Sequence, residues 1–206
     1  MKTRDRILET ARCLFNEEGV AQVSTNRIAS ELGMSPGNLY HHFRNKEQIV
    51  EWLFRRFELS MEPFREAHAS VEALDDLWMT LHLAFEAIEQ HRFVYRDIAG
   101  LMREYPLIQS RAPLMATAGI AAARRIGEKL VAKKILHASS AQIEALSYHI
   151  VLTATCWYSF AKLVSREAPL AASPGFAAYQ VLSLLTPYVD ETSRPYLDYL
   201  RTKYLP

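Results

Sequence analysis

Cysteine is scarce in this 206-residue chain: Cys13 and Cys156 are its two thiols. Far apart in sequence, they build no CxxC pair, no Cys/His cluster and no disulfide framework. Neither a metal nor a cofactor is expected, and both thiols are read as buried and reduced. Charge of one sign is also missing. Lys plus Arg number 24 against 23 for Asp plus Glu, a net charge of +1. Coating of a polyanion by bulk charge is excluded, whereas a small local basic site is not. The most apolar run, 150–161, falls short of the roughly 20 residues that span a bilayer. The opening Met1-Lys2-Thr3-Arg4-Asp5-Arg6 lacks the apolar core of a signal peptide. A soluble, cytoplasmic protein is the expectation. Period-two alternation, repeats and low-complexity segments are absent as well.

What is present is helical periodicity. Ile7, Leu8, Ala11, Leu14 and Phe15 recur at three- and four-residue spacing, with Thr3 as N-cap and Gly19 closing the helix. A second helix runs from about Thr25 to Leu32, ended by Gly33. A third starts at Ser35 as N-cap with Pro36 in the first helical position. Asn45 caps a fourth, and Gln48 three residues on completes a capping-box pattern. One of the nine prolines precedes residue 63. Beyond it, helical stretches fall at about 71–90, 92–104, 106–135, 140–167, 174–189 and 193–204. The fold class is all-α. A three-helix unit over residues 1–46 is followed by a larger helical domain over 47–206, with a helix at about 46–62 connecting them.

Two short helices joined by a glycine-led turn over 24–46 form a helix-turn-helix pattern, which sets the start of its second helix against base edges in the major groove. Pro36 and Gly37 have little side-chain reach, so the backbone and Asn38 must approach the duplex closely. Asparagine pairs bidentately with adenine. Arg27, Arg44 and Lys46 are the cations of this window against Glu31. Lys46 also follows the Asn45 cap, where a phosphate meets both an ammonium and a helix N-terminus. Thr25 offers a hydroxyl and an N–H of the same kind, and Ser35, Tyr40 and His41 lie within phosphate reach. Tyr40 has a second reading, as a lock between the second and third helices. His42, beside Phe43, is either a phosphate ligand or a packing residue. A glycine just inside a helix costs stability, which favours close approach at Gly37 over a plain loop role.

The string Ile28-Ala29, Leu32-Gly33-Met34-Ser35, Gly37-Asn38-Leu39-Tyr40-His41-His42-Phe43 and Asn45-Lys46-Glu47 closely resembles the DNA-binding domain of the TetR family of transcriptional regulators. The likeness extends back through Ile7-Leu8, Ala11, Leu14-Phe15 and Gly19, covering about the first 55 residues. It implies a homodimeric, ligand-responsive regulator, most often a repressor, that leaves a palindromic DNA operator when a small molecule fills its C-terminal domain. By position, the family's phosphate contacts fall on Thr25, Tyr40, His42 and Lys46, and its base-reading positions on Asn26, Pro36, Gly37 and Asn38.

The rest of the chain is less informative. Stretch 140–167 sets Ile143, Leu146, Ile150, Ala154, Tyr158 and Ala161 on one face and Leu152, Cys156, Phe160 and Leu163 on another. A helix apolar nearly all round is buried on more than one side. With Phe176 to Tyr188, it suggests a four-helix dimer interface, for which Ile150, Ala154, Tyr158, Ala161, Tyr179 and Leu182 are candidates. The alternative is two core helices of a monomer. Trp78, His82, Phe85, Met102, His149 and Trp157 are candidates to line an apolar effector pocket, or ordinary core. Arg96 and Arg103 read as solvated, and Arg125, Lys129 and Lys133 as an exposed basic ridge. An enzyme is not expected: no Ser/His/Asp ordering, HExxH, P-loop or dinucleotide fingerprint occurs. The runner-up readings keep the DNA-binding unit and drop the effector, or make the protein an activator.

Overall fold

The computed structural model describes residues 2–164 and 175–205. Its helices are α1 (Thr3–Glu18), α2 (Thr25–Glu31), α3 (Pro36–His42), α4 (Lys46–Ser60), α5 (Glu62–Glu66), α6 (Leu74–Gln90), α7 (Phe93–Arg96), α8 (Ile98–Glu104), α9 (Pro106–Ala132), α10 (Ser140–Val164), α11 (Phe176–Leu185) and α12 (Arg194–Thr202). Among the described residues there is no strand; a single bridge joins Leu136 to Val189. None of these helices is long and apolar enough to cross a membrane. The expected 92–104 stretch is split at Asp97, whose side chain accepts from Gly100 N and restarts the helix as α8. The expected 174–189 stretch ends early, with a 3-10 turn over Thr186–Tyr188. The expected ends at 165–167 and 174 lie outside the described residues.

The N-terminal unit is built by capping. Ser24 accepts from Arg27 N, Ser35 from Asn38 N and Asn45 from Gln48 N. Each satisfies one donor that a helix start leaves orphaned, worth about 1 kcal/mol apiece. The box at α4 is shifted: Gln48 Oε1 accepts from Arg44 N at 3.0 Å, one residue before the cap. At α1 the cap position is Lys2 without a side-chain bond, and Thr3 is already helical. Gly19 and Gly33 take positive φ of 91° and 64°, backbone that L side chains rarely adopt. Ile7, Phe15, Ile28, Leu39, Phe43 and Leu53 fill the centre of the unit.

α4 belongs to both halves. Ile49, Val50 and Leu53 pack into the N-terminal unit's core, and its later turns meet α6 and α9. The joint between halves is polar as well as apolar. Asn16, buried at the end of α1, donates to Gln90 O at 2.8 Å and accepts from Phe93 N at 3.0 Å. Arg96 donates to the carbonyls of Asn16 and Glu17, both at 2.9 Å, so it is a C-terminal cap for α1 and not a solvated cation. Phe15 and Phe93 meet at 5.8 Å, and buried His91 packs on Phe57 and Phe93. Burial pushes the His91 imidazole below its usual range.

In the larger half, α9 and α10 form the central pair, flanked by α8, α11 and α5. Two expectations are revised by the tertiary structure: the basic ridge is exposed at Arg125 and Lys133 but also paired, and the cysteines are not buried. Lys129 and Lys133 both bind Glu72, and Lys129 and Arg125 donate to Ala69 O and Arg65 O. The basic ridge is thus the seat of segment 62–72, and the two ammonium groups hold the Glu72 carboxyl at about 2. Cys13 and Cys156 are exposed, not buried. The reason is position: each lies on the outward side of a helix whose inward side is filled by larger apolar residues.

Candidate DNA interface and effector cavity

On the helix-turn-helix, Leu39 is fully buried beneath α3, while Ser35, Pro36, Gly37, Asn38, Tyr40 and His41 are exposed and His42 is half-buried. Asn26 and Arg27 are exposed on α2. A Cβ on Gly37 meets nothing nearer than Ser35 Oγ at 4.0 Å. Among the described residues, nothing therefore requires glycine there. Thr25 Oγ1 and Tyr40 OH lie 3.2 Å apart. Tyr40 locks α3 to α2 through this bond and, 48% exposed, still offers its phenol to solvent.

The charge of the unit differs from the sequence expectation. Arg27 bridges Glu31 at 2.6 Å and Glu18 of α1 at 3.1 Å. Glu18 is remote in sequence, so the three-to-one count of bases over acids in 24–46 overstated the local charge. Lys46 Nζ donates to Val20 O at 2.7 Å, tying α4 to the 3-10 turn Val20–Gln22. Arg4 of α1 lies on the aromatic residues beside α3. Its guanidinium stands 4.4 Å from the Trp52 ring centroid and 5.1 Å from that of Phe43, at the end of α3. Sequence reasoning missed Arg4; the legible sign is an exposed tryptophan at position 52 in a helix whose other aromatics face inward.

The C-terminal half holds an apolar cavity of about 60 Å³ between α4–α6, α9 and α10. Phe85, Ile88, Tyr95, Met115, Ile150 and Ala154 form much of its wall, with Glu58 and Arg65 as its charged lining. A second cavity of about 220 Å³ shares Tyr95, Met115, Ala116 and Thr155 with it and reaches Phe54 and Phe57 of α4 and Met102 of α8. A third, about 20 Å³, shares Phe64, Leu81 and Ile150 and continues along α9 to Gly127 and Leu130. Burial pushes the Tyr95 phenol up to about 12, so the wall keeps a neutral hydroxyl.

Of the six expected pocket residues, Phe85 and Met102 line these cavities. Trp78 and His82 stack on each other at 5.2 Å, beside Tyr204, in a separate cluster. His149 is exposed, and Trp157 packs between Phe160 and Phe176. These four lie elsewhere because helical spacing gives a residue's side of the helix, not the neighbour it meets.

The expected interface face of α10 is likewise spent inside the protomer. Ile150 and Ala154 line the cavity, Tyr158 OH donates to Glu89, and Ala161 is buried. On α11, Leu182 is fully buried and Tyr179 stacks on Phe176. The outward apolar stripe is the other one: Tyr148, Leu152, Phe160 and Leu163, 49–79% exposed.

Comparison with known proteins agrees with this architecture. Residues 7–53 match the family model "Bacterial regulatory proteins, tetR family", and residues 56–197 match the TetR model "Bacterial transcriptional repressor". A crystal structure of a TetR-family transcriptional regulator from Marinobacter aquaeolei VT8 is 33% identical over the full length of both chains, with a TM-score of 0.86. The HTH-type transcriptional repressor KstR2 of Mycolicibacterium smegmatis is 35% identical over 115 residues, 50% of this chain; the match spans about half (53%) of that relative. A SmeT–triclosan complex shares the fold, with 18% identity over 92% of each chain and a TM-score of 0.62. With capped helices presenting an exposed Asn38 and family models matching both halves, the chain belongs to the TetR family of bacterial transcriptional repressors, which are DNA-binding regulators and not enzymes.

Proposed function

We propose that this protein is a homodimeric, ligand-responsive repressor that holds a palindromic operator and releases it when a small, largely apolar effector enters the C-terminal half. The observation that carries the reading is the apolar cavity system whose walls include Phe54, Phe57 and Glu58 of α4. A ligand there touches the helix that continues from the recognition unit. DNA reading belongs to residues 1–46 and effector binding and pairing to 47–206, with α4 as the connector.

Asn26, Pro36, Gly37 and Asn38 read bases. Thr25, Ser35, Tyr40, His41, His42 and Lys46 meet phosphates, and Arg4 joins them. Arg27, paired twice over, acts chiefly within the protein. The exposed α10 stripe pairs with its two-fold copy, since an isologous contact buries the same patch on both subunits. Effector binding favours one dimer geometry, in which the recognition helices no longer match major grooves about 34 Å apart. A ligand with equal affinity for both geometries shifts nothing.

Gel shifts on a palindrome selected from random DNA, repeated on one half-site, test this reading. Binding is expected on the palindrome alone, by a particle of twice the chain mass in sedimentation. Monomer binding to a half-site overturns the dimer. If no apolar compound stabilises the protein or releases DNA, the effector is overturned and a plain DNA-binding module remains. Lys46→Gln is expected to weaken all DNA about equally and to lower the salt slope by about one.

A further inference from the structure

Glu58 sits in the cavity wall with its side chain 12% exposed, while its partner Arg111 is 48% exposed. Arg111 Nε lies 2.8 Å from both carboxylate oxygens, and Nη2 lies 2.8 Å from Oε1. The bridge ties α4 to α9.

The two ends of this pair respond differently to a charged visitor. An anionic ligand that takes Arg111 leaves Glu58 in an apolar wall without a counter-charge, which is costly. A cationic ligand that takes Glu58 sends Arg111 into water that already covers half of it, at little cost. Arg65, the other charged lining residue, is itself paired with Glu62 at 3.0 Å. The remaining walls, around Phe85, Ile88 and Met115, suit an apolar tail, and the neighbouring cavities give it room to extend.

We infer that the effector is an amphiphilic organic cation, an alkyl- or arylalkylammonium, whose head replaces Arg111 on Glu58. This rests on the effector reading above and names its ligand class. The exchange breaks the α4–α9 tie at the moment of binding, so the ligand's charge, not its bulk alone, frees α4 and the recognition unit it carries.

The test is calorimetry on the full chain with three probes of one tail length: decylammonium, decan-1-ol and decanoate. Decylammonium is expected to bind at least about tenfold tighter than the other two and to release the operator at the lowest concentration. Glu58→Gln is expected to abolish that preference while leaving the Kd of decan-1-ol within about threefold. Arg111→Gln, which leaves the carboxylate unclaimed, is expected to tighten decylammonium binding; should Glu58→Gln fail to fold by circular dichroism, this variant carries the test. Decanoate or decan-1-ol binding as tightly as the cation, a preference that survives Glu58→Gln, or no gain in Arg111→Gln overturns the inference and leaves an effector site of another class. Binding of none of the three probes overturns the effector reading with it.

Discussion

The two halves of this molecule are stabilised in different ways. In the N-terminal unit, three helix starts are each closed by a capping side chain that accepts from the N–H three residues on, and the centre is filled by Ile7, Phe15, Ile28, Leu39 and Phe43. In the C-terminal half, two helices of 27 and 25 residues run against each other with cavities strung along their groove. The first half is dense and locally specified, as a surface that must present Asn38 and Gly37 in one geometry requires. The second leaves gaps between its helices, whose walls forgo some packing contacts. Precision and vacancy are separated along the chain, and α4 joins them.

The sharpest way to break this contrast is at the joint. Phe15→Ala removes a ring packed on Phe93 across the halves and is expected to destabilise by about 3–5 kcal/mol in urea unfolding. A single transition means the halves fold as one; two transitions mean the dense unit melts alone. Next in size, Asn38→Ala is expected to cost about 1–3 kcal/mol on the selected operator and to relax one base position in a gel-shift series. Equal losses on matched and mismatched DNA remove Asn38 from the reading set.

His91 sharpens the comparison through pH. Buried between Phe57 and Phe93, it is lowered in the folded state, so the unfolded chain takes up the proton first as pH falls through the ordinary imidazole value near 6.5. Its neutral form is fully compatible with the fold above that value. Stability is expected to fall below it, by at most about 1.4 kcal/mol per pH unit until the folded imidazole also titrates. His91→Phe should remove this part of the slope in melts taken from pH 7.5 to 5.5. The smallest effect separates stability from function. Gly37→Ala meets no clash within the chain and is expected to gain about 0.5–1 kcal/mol in melting while losing operator affinity. Unchanged DNA binding would falsify the close approach of the α3 backbone.

Much of the N-terminal unit was legible because its signals are short-range. Ser35, Pro36, Asn45 and the two glycines act on neighbours within a turn, so spacing alone reveals them. Tyr40 shows the limit: both of its readings were visible, and only the 3.2 Å contact to Thr25 establishes the lock. The partner of Arg27 was invisible because Glu18 lies nine residues back, on another helix. The pocket was read poorly for the same reason. Trp78, His82, His149 and Trp157 have the composition of a pocket but not its position, whereas Glu58, in register with Phe54 and Met61 on α4, was an overlooked sign: an acid in an apolar stripe.

By itself, then, the sequence determined an all-α chain, a helix-turn-helix with its caps and its exposed Asn38, and the family whose pattern those residues carry. Local hydrogen bonds and helical periodicity suffice for that. Only the tertiary structure decided which face of α10 turns inward, where Arg125, Lys129 and Lys133 dock, which residues surround the cavities, and that Glu58 is largely covered while Arg111 is about half exposed. An apolar stripe states that a surface must be covered and leaves open by what. Packing between helices distant in sequence answers that, and with it sets the cost of every charge on the cavity wall.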